Sequence, residues 1–73
     1  MSIVQPMLTL EINGEARSVS TVSNVKELIE FLAISEDRIA VELNRRIIRR
    51  QEWATTILND HDRVEIVQFV GGG

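Results

Sequence analysis

The chain has 73 residues, which gives room for one small core and no second domain. Of these, 44% are apolar and 26% charged, a globular balance, and eleven acidic against eight basic side chains leave a net charge of −3, which argues against a nucleic-acid partner. There is no cysteine and one histidine, His61, so disulfides, thiolate catalysis, iron–sulfur clusters and cysteine-type zinc sites are excluded.

Charges interrupt every apolar stretch before the ~20 residues of a membrane helix are reached. Residues 1–7 lack the basic start and apolar run of a signal peptide, so a cytoplasmic location and no membrane partner are expected. A domain of this size without covalent or metal staples spends its apolar side chains on folding. A deep substrate pocket and independent catalysis are therefore not expected.

Residues 1–6, ending in the only proline, read as a lead-in. Leu8, Leu10 and Ile12 alternate with Met7, Thr9 and Glu11, the period of a half-buried strand. Asn13-Gly14 follows, a dipeptide suited to the positive φ angles of a type I′ hairpin turn. A two-residue turn sets Val19 opposite Leu8 and Arg17 opposite Leu10, with the return strand over 15–20. Asn24 and Glu27 have the spacing of a capping box, and Val25, Leu28, Ile29 and Leu32 recur at helical spacing over 25–33. Phe31 is expected to widen that apolar stripe.

Residues 35–38 form a charged connection. Ile39, Val41 and Leu43 alternate again as a third strand, Asn44-Arg45 reads as a turn, and Ile47-Ile48 as a short strand after it. Residues 51–58 suggest a short helical turn with Trp53 packed inward, alongside Ile57 and Leu58. Residues 59–62 form a polar turn, and 63–70 the last strand before Gly71-Gly72-Gly73. The order β-β-α-β-(β)-β predicts an α+β fold: one mixed sheet of four to five strands covered by one helix. The domain spans 7–70, followed by a glycine tail at 71–73.

Three successive glycines after a well-patterned strand are poor for folding. Extended, they reach about 10 Å and could pass through a tunnel in which any β-carbon would clash. Gly71 and Gly72 are thus candidates for threading into a partner's active site, and Gly73 for presenting a carboxylate there. An α-carboxylate, with a pKa of about 3.3–3.7, is ionised and a poor electrophile; adenylation would open it to attack by sulfide, persulfide or an amine. Without cysteine, a sulfur atom carried by this chain would sit on a C-terminal thiocarboxylate. With Val64 and Ile66 facing the core, strand period places Glu65, Val67 and Phe69 on the other face. Val67 and Phe69 are therefore candidates for partner docking. Arg45, Arg46, Arg49 and Arg50 read as a solvated strand edge, Trp53 as packing, and His61 between Asp60 and Asp62 as a solvated turn.

The segments Ile39-Ala40-Val41-Glu42-Leu43-Asn44, Trp53-Ala54-Thr55-Thr56-Ile57-Leu58 and Asp62-Arg63-Val64-Glu65-Ile66-Val67, with Asn13-Gly14-Glu15 and the terminal glycines, resemble the ThiS family of thiamine-biosynthesis sulfur carriers. The likeness runs over nearly the whole chain from Met7. It implies a ubiquitin-like β-grasp fold and a carrier with no catalysis and no bound cofactor or metal of its own. It further implies an adenylating enzyme of the ubiquitin-activating type that uses ATP to join AMP to Gly73. A sulfur donor such as a cysteine desulfurase would then supply the thiocarboxylate, and thiazole synthase would consume it. The family commonly has a glycine or small residue where Arg45 stands and a glycine where His61 stands, and positive φ costs more at Arg or His, so the likeness leaves these two turns open. A carrier serving molybdopterin, tRNA thiolation or cysteine synthesis remains an alternative, as does a protein modifier conjugated through Gly73. The stretch Gln68-Phe69-Val70 lacks the proline-containing approach usual in the molybdopterin branch.

Overall fold

A computed structural model describes residues 7–69 of the chain; the lead-in at 1–6, the expected last strand residue Val70 and the glycines 71–73 lie outside the described residues. Alternating burial makes β1 (Met7–Ile12) a strand with Leu10 and Ile12 in the core. The chain reverses at Asn13 (φ 50°) and Gly14 (φ 84°), the left-handed pair of a type I′ turn. The return strand, β2 (Glu15–Ser20), sets Leu8 opposite Val19 and Leu10 opposite Arg17, as the two-residue turn requires.

The helix α1 (Val25–Phe31) begins with the Asn24 side chain accepting the Glu27 N–H at 2.9 Å. The Glu27 carboxylate reaches back to Ser23, taking its N–H at 2.8 Å and its hydroxyl at 2.7 Å. These bonds hold the carboxylate below its ordinary pKa. The helix stops two residues short of the expected Ala33. Leu32 caps it, Ala33 turns left-handed (φ 56°), and the N–H groups of Ala33 and Ile34 return to the carbonyls of Glu30 and Ile29, the paired bonds of a Schellman ending. Val25, Leu28 and Ile29 are buried, whereas Phe31 is 45% exposed and does not extend the apolar stripe inward.

Two further strands, β3 (Ile39–Leu43) and β4 (Arg46–Ile48), form a second hairpin, and β5 (Arg63–Gln68) completes the sheet. The order is β2-β1-β5-β3-β4, with β1 and β5 parallel and the other pairs antiparallel. This is a five-stranded mixed sheet with α1 over one face, the β-grasp arrangement. Between β4 and β5 a 3-10 helix (Arg50–Thr55) seats Trp53, 3% exposed, with its Nε1–H donating to the Ile48 carbonyl at 3.1 Å. The chain then extends, Val25 N–H bonding Thr56 O and Leu58 N–H bonding Ser23 O. Extended backbone alternates its side chains, so Leu58 is buried while Ile57 turns outward, 60% exposed, and does not join Trp53 in the core.

Glu36 ties the lower side of the helix to this region, accepting from Lys26 Nζ and from Arg50, each at 3.1 Å. The Lys26 bond, then that from Arg50, holds the Glu36 carboxyl below its ordinary range. A depressed folded pKa stabilises the fold above the unfolded value, and that contribution disappears as pH falls through the folded one. Glu36→Gln is thus expected to lower stability slightly at neutral pH and to converge with wild type at acid pH, flattening the acid limb of the profile, which denaturant melts from pH 3 to 7 would read.

The two turns that the family likeness left open keep left-handed backbone: Arg45 has φ 70° and His61 φ 69°. Each turn is braced by neighbours. The Asn44 side chain donates to Asp62 at 3.0 Å and accepts the Arg63 N–H at 2.9 Å, while the His61 N–H donates to the Thr9 carbonyl at 2.6 Å. Left-handed φ costs about 1–2 kcal/mol for a residue with a β-carbon, partly offset by the larger unfolded-state entropy of glycine. Arg45→Gly and His61→Gly are each expected to stabilise the domain by about 0.5–1 kcal/mol and to raise its Tm by about 2–8 °C, measurable by thermal melts.

Candidate functional site

Among the described residues nothing covers the face of the sheet opposite α1. Along β5, Val64 is fully buried and Ile66 packs against the core, so the opposite parity of the strand points away from the helix. Val67 is 51% exposed and Phe69, one residue past the strand, 56%. The expectation that both are exposed apolar side chains just before the glycines therefore holds, and no bulge or second layer covers them among the described residues.

The backbone that carries them is held from both sides. On one side Val67 pairs with Ala40, and the Phe69 N–H donates to the Arg38 carbonyl at 2.7 Å, extending the pairing beyond Gln68. On the other, β1 ends at Ile12, and the Asn13 side chain takes over the edge of β5. Its Oδ1 accepts the Ile66 N–H at 2.7 Å and its Nδ2 donates to the Ile66 carbonyl at 3.2 Å. A side-chain amide thus continues a backbone ladder for one more rung. The direction in which β5 leaves the sheet is fixed by these contacts.

Ile47 joins this face. It is 70% exposed and stands across from Glu42, while its neighbour Ile48 pairs with Val41 and is buried. Reading Ile47-Ile48 simply as a short strand left Ile47 out of the docking set; the alternation of side chains was the signal that separates the two. Gly71, Gly72 and Gly73 lie outside the described residues.

The other clusters have structural partners. Arg45, Arg46, Arg49 and Arg50 are exposed on and beside β4, an edge strand, as expected of a solvated edge. Arg50 pairs with Glu36 and stands 5.9 Å from the Trp53 ring centroid. His61 Nε2 lies 3.2 Å from Asp60, whose other oxygen accepts the Thr9 N–H at 2.7 Å, and Asp62 accepts the Asn59 N–H at 2.8 Å. The acidic residues beside His61 therefore brace the turn, and among the described residues no group of three His, Cys, Asp or Glu side chains could hold a metal ion. A shallow hollow lies at the opposite end of β5 from Phe69, where Arg63 pairs with Glu11 at 2.6 Å and Arg45 and His61 form the rim. No described helix is long and apolar enough to cross a membrane.

Comparison with known proteins agrees with this architecture. The model of the ThiS family matches residues 10–73. A thiazole synthase of Paramagnetospirillum magneticum is 39% identical over 66 residues, 90% of this chain but only 20% of that protein, so the chain spans about a fifth of the relative's length. The sulfur carrier protein ThiS of Escherichia coli is 31% identical over 61 residues, covering 84% of this chain and 92% of its own length. The crystal structure of the thiamine biosynthesis protein ThiS from Geobacter metallireducens superposes with a TM-score of 0.77 at 33% identity, over 90% of this chain and 100% of that one.

Proposed function

The chain belongs to the ThiS family of sulfur carriers in thiamine biosynthesis, and from that premise we propose that Gly73 is the residue on which it carries sulfur. The carboxylate attacks the α-phosphorus of ATP in the active site of a ubiquitin-activating-type enzyme, giving the acyl-adenylate and pyrophosphate. Sulfide then displaces AMP and leaves the thiocarboxylate; where the donor is the persulfide of a cysteine desulfurase, its terminal sulfur displaces AMP to give an acyl disulfide, and a thiol reductant cleaves the S–S bond to release the thiocarboxylate. Adenylation replaces an ionised, unreactive oxygen with a leaving group; the carrier supplies delivery, and its partners supply the catalysis.

The observation that carries this reading is the family match across residues 10–73, which includes Gly71–Gly73. The geometry of β5 supports it. A strand held on both edges, with Val67 and Phe69 exposed beside its end, gives a partner an apolar grip close to the residues that must enter its active site. Gly71 and Gly72 have no β-carbon to obstruct a narrow passage. That a fifth of a protein named thiazole synthase resembles this chain supports thiazole synthase as the acceptor of the sulfur.

Docking through Phe69 is tested by Phe69→Asp. A side chain more than half exposed contributes little to the core, and its backbone bond to Arg38 survives the substitution. Stability should therefore change by less than about 0.5 kcal/mol, while affinity for the adenylating enzyme falls by about 2 kcal/mol, near 30-fold. Parallel thermal melts and titration calorimetry read the two effects; unfolding of the variant would instead place Phe69 in the core. For the acceptor, capture of thiazole synthase by the immobilised carrier is expected, and capture of another sulfur acceptor alone would assign the chain to a different pathway.

A further inference from the structure

The uncovered face carries a feature that folding alone does not account for. The register of β3 and β5 sets Glu42 directly across from Glu65. Both belong to the outward parity of their strands, because the buried residues on either side of them are Val41 and Leu43 on β3 and Val64 on β5. The bonds from Asn44 N–H to Arg63 O and from Phe69 N–H to Arg38 O make Glu42 and Glu65 a hydrogen-bonded pair, with α-carbons about 5.5 Å apart. Like charges directly opposite on antiparallel strands are destabilising. Among the described residues neither carboxylate has a cation or a hydrogen-bond donor: Arg63, the nearest outward cation along β5, is engaged with Glu11 at 2.6 Å.

Apolar side chains border this acid pair. Ile47 stands across β3 from Glu42, and Val67 is the next outward residue of β5 after Glu65, facing Ala40. Ile47 and Val67 are 70% and 51% exposed. Arg46 shares the parity of the buried Ile48 and pairs with Leu43, so on the outward side of β4 it is Ile47 that stands beside the acid pair. We infer that this face docks a protein surface presenting an arginine amid apolar side chains, with the guanidinium inserted between Glu42 and Glu65 and apolar contacts on Ile47 and Val67. Arginine suits the site better than lysine, because its planar guanidinium presents five donors in a rigid fork that spans both carboxylates. Binding then relieves a repulsion that the free carrier retains, and the same charges reject a partner that offers an acidic surface.

This assignment deepens the adenylation reading and rests on it, with the adenylating enzyme as the partner. The test uses the full chain with the ATP-dependent adenylating enzyme of the same organism, following pyrophosphate release against carrier concentration. Glu65→Lys sets opposite charges across the two strands, so its Tm should rise while KM for the carrier increases at least about tenfold with kcat little changed. Glu42→Gln is the milder variant, expected to keep the fold and to raise KM in the same direction. The wild-type rate at low carrier concentration should fall with added salt, and that dependence should weaken in both variants. A purely structural role for the pair would move stability and KM together. Unchanged KM and salt dependence in both variants, with an active wild type, would overturn the docking assignment alone; a wild-type carrier that releases no pyrophosphate would overturn the adenylation reading and this assignment with it.

Discussion

Deleting Gly73 is expected to abolish thiocarboxylate formation while leaving thermal unfolding unchanged. Among the described residues the core runs from Leu10 to Val64 and β5 is fixed by contacts between Arg63 and Phe69, all of which the deletion leaves in place. The chemistry depends on the last residue: adenylation acts on one carboxyl carbon, and moving that carbon by one residue withdraws it about 3.5 Å from the position that the docked domain would otherwise give it. Misplacement by even about 1 Å can cost a hundredfold in rate. Adding one residue after Gly73 should fail for the converse reason. Mass spectrometry of each variant after incubation with ATP, the adenylating enzyme and sulfide, beside a thermal melt, reads both halves of the expectation; sulfur transfer onto the shortened chain would contradict it.

Trp53→Ala is expected to unfold the domain. Trp53 is 3% exposed, anchors the 3-10 helix between β4 and β5, donates to Ile48 O and lies under the Arg50 guanidinium. Truncating a buried aromatic side chain costs about 3–5 kcal/mol, and a domain of this size has roughly 5 kcal/mol of net stability or less. The Ile48 carbonyl also loses its donor. Trp53→Phe, which keeps a ring and loses the hydrogen bond, is expected to remain folded with a loss of about 1–3 kcal/mol. Far-UV circular dichroism and the dispersion of amide proton resonances would separate the two variants, and a cooperative melt at wild-type temperature for Trp53→Ala would show that the indole does not hold the core.

Local pairs carried most of what could be read directly from the chain. Asn13-Gly14 pins a two-residue turn, and a pinned turn fixes register, so the partners of Leu8 and Leu10 followed at once. The parity of β5 followed from Val64 and Ile66 by the same period of two, and with it the exposure of Val67 and Phe69. Two side chains were misplaced for different reasons: Phe31 is helical but lies on the flank of the apolar stripe of α1 and stays out of the core, whereas Ile57 sits on extended chain where a helical turn was expected.

What the sequence hid was set by contacts distant along the chain. The parallel pairing of β1 with β5 brings Glu11 beside Arg63, and the Asn13 side chain beside Ile66; nothing near either residue encodes that meeting. Glu42 and Glu65 stand opposite each other only because β3 and β5 pair in one register. Arg45 and His61 marked the turns at which the family likeness left the geometry open. The braces from Asn44 and Thr9 keep those turns left-handed without glycine.

The most direct test of the sulfur-carrier account is the intact mass of the full chain after incubation with ATP, the adenylating enzyme and a sulfide source. A gain equal to one oxygen-for-sulfur exchange, located to Gly73 in the C-terminal peptide, is the predicted result. An unchanged mass while the enzyme releases pyrophosphate from ATP, or a sulfur atom located anywhere other than Gly73, would contradict it.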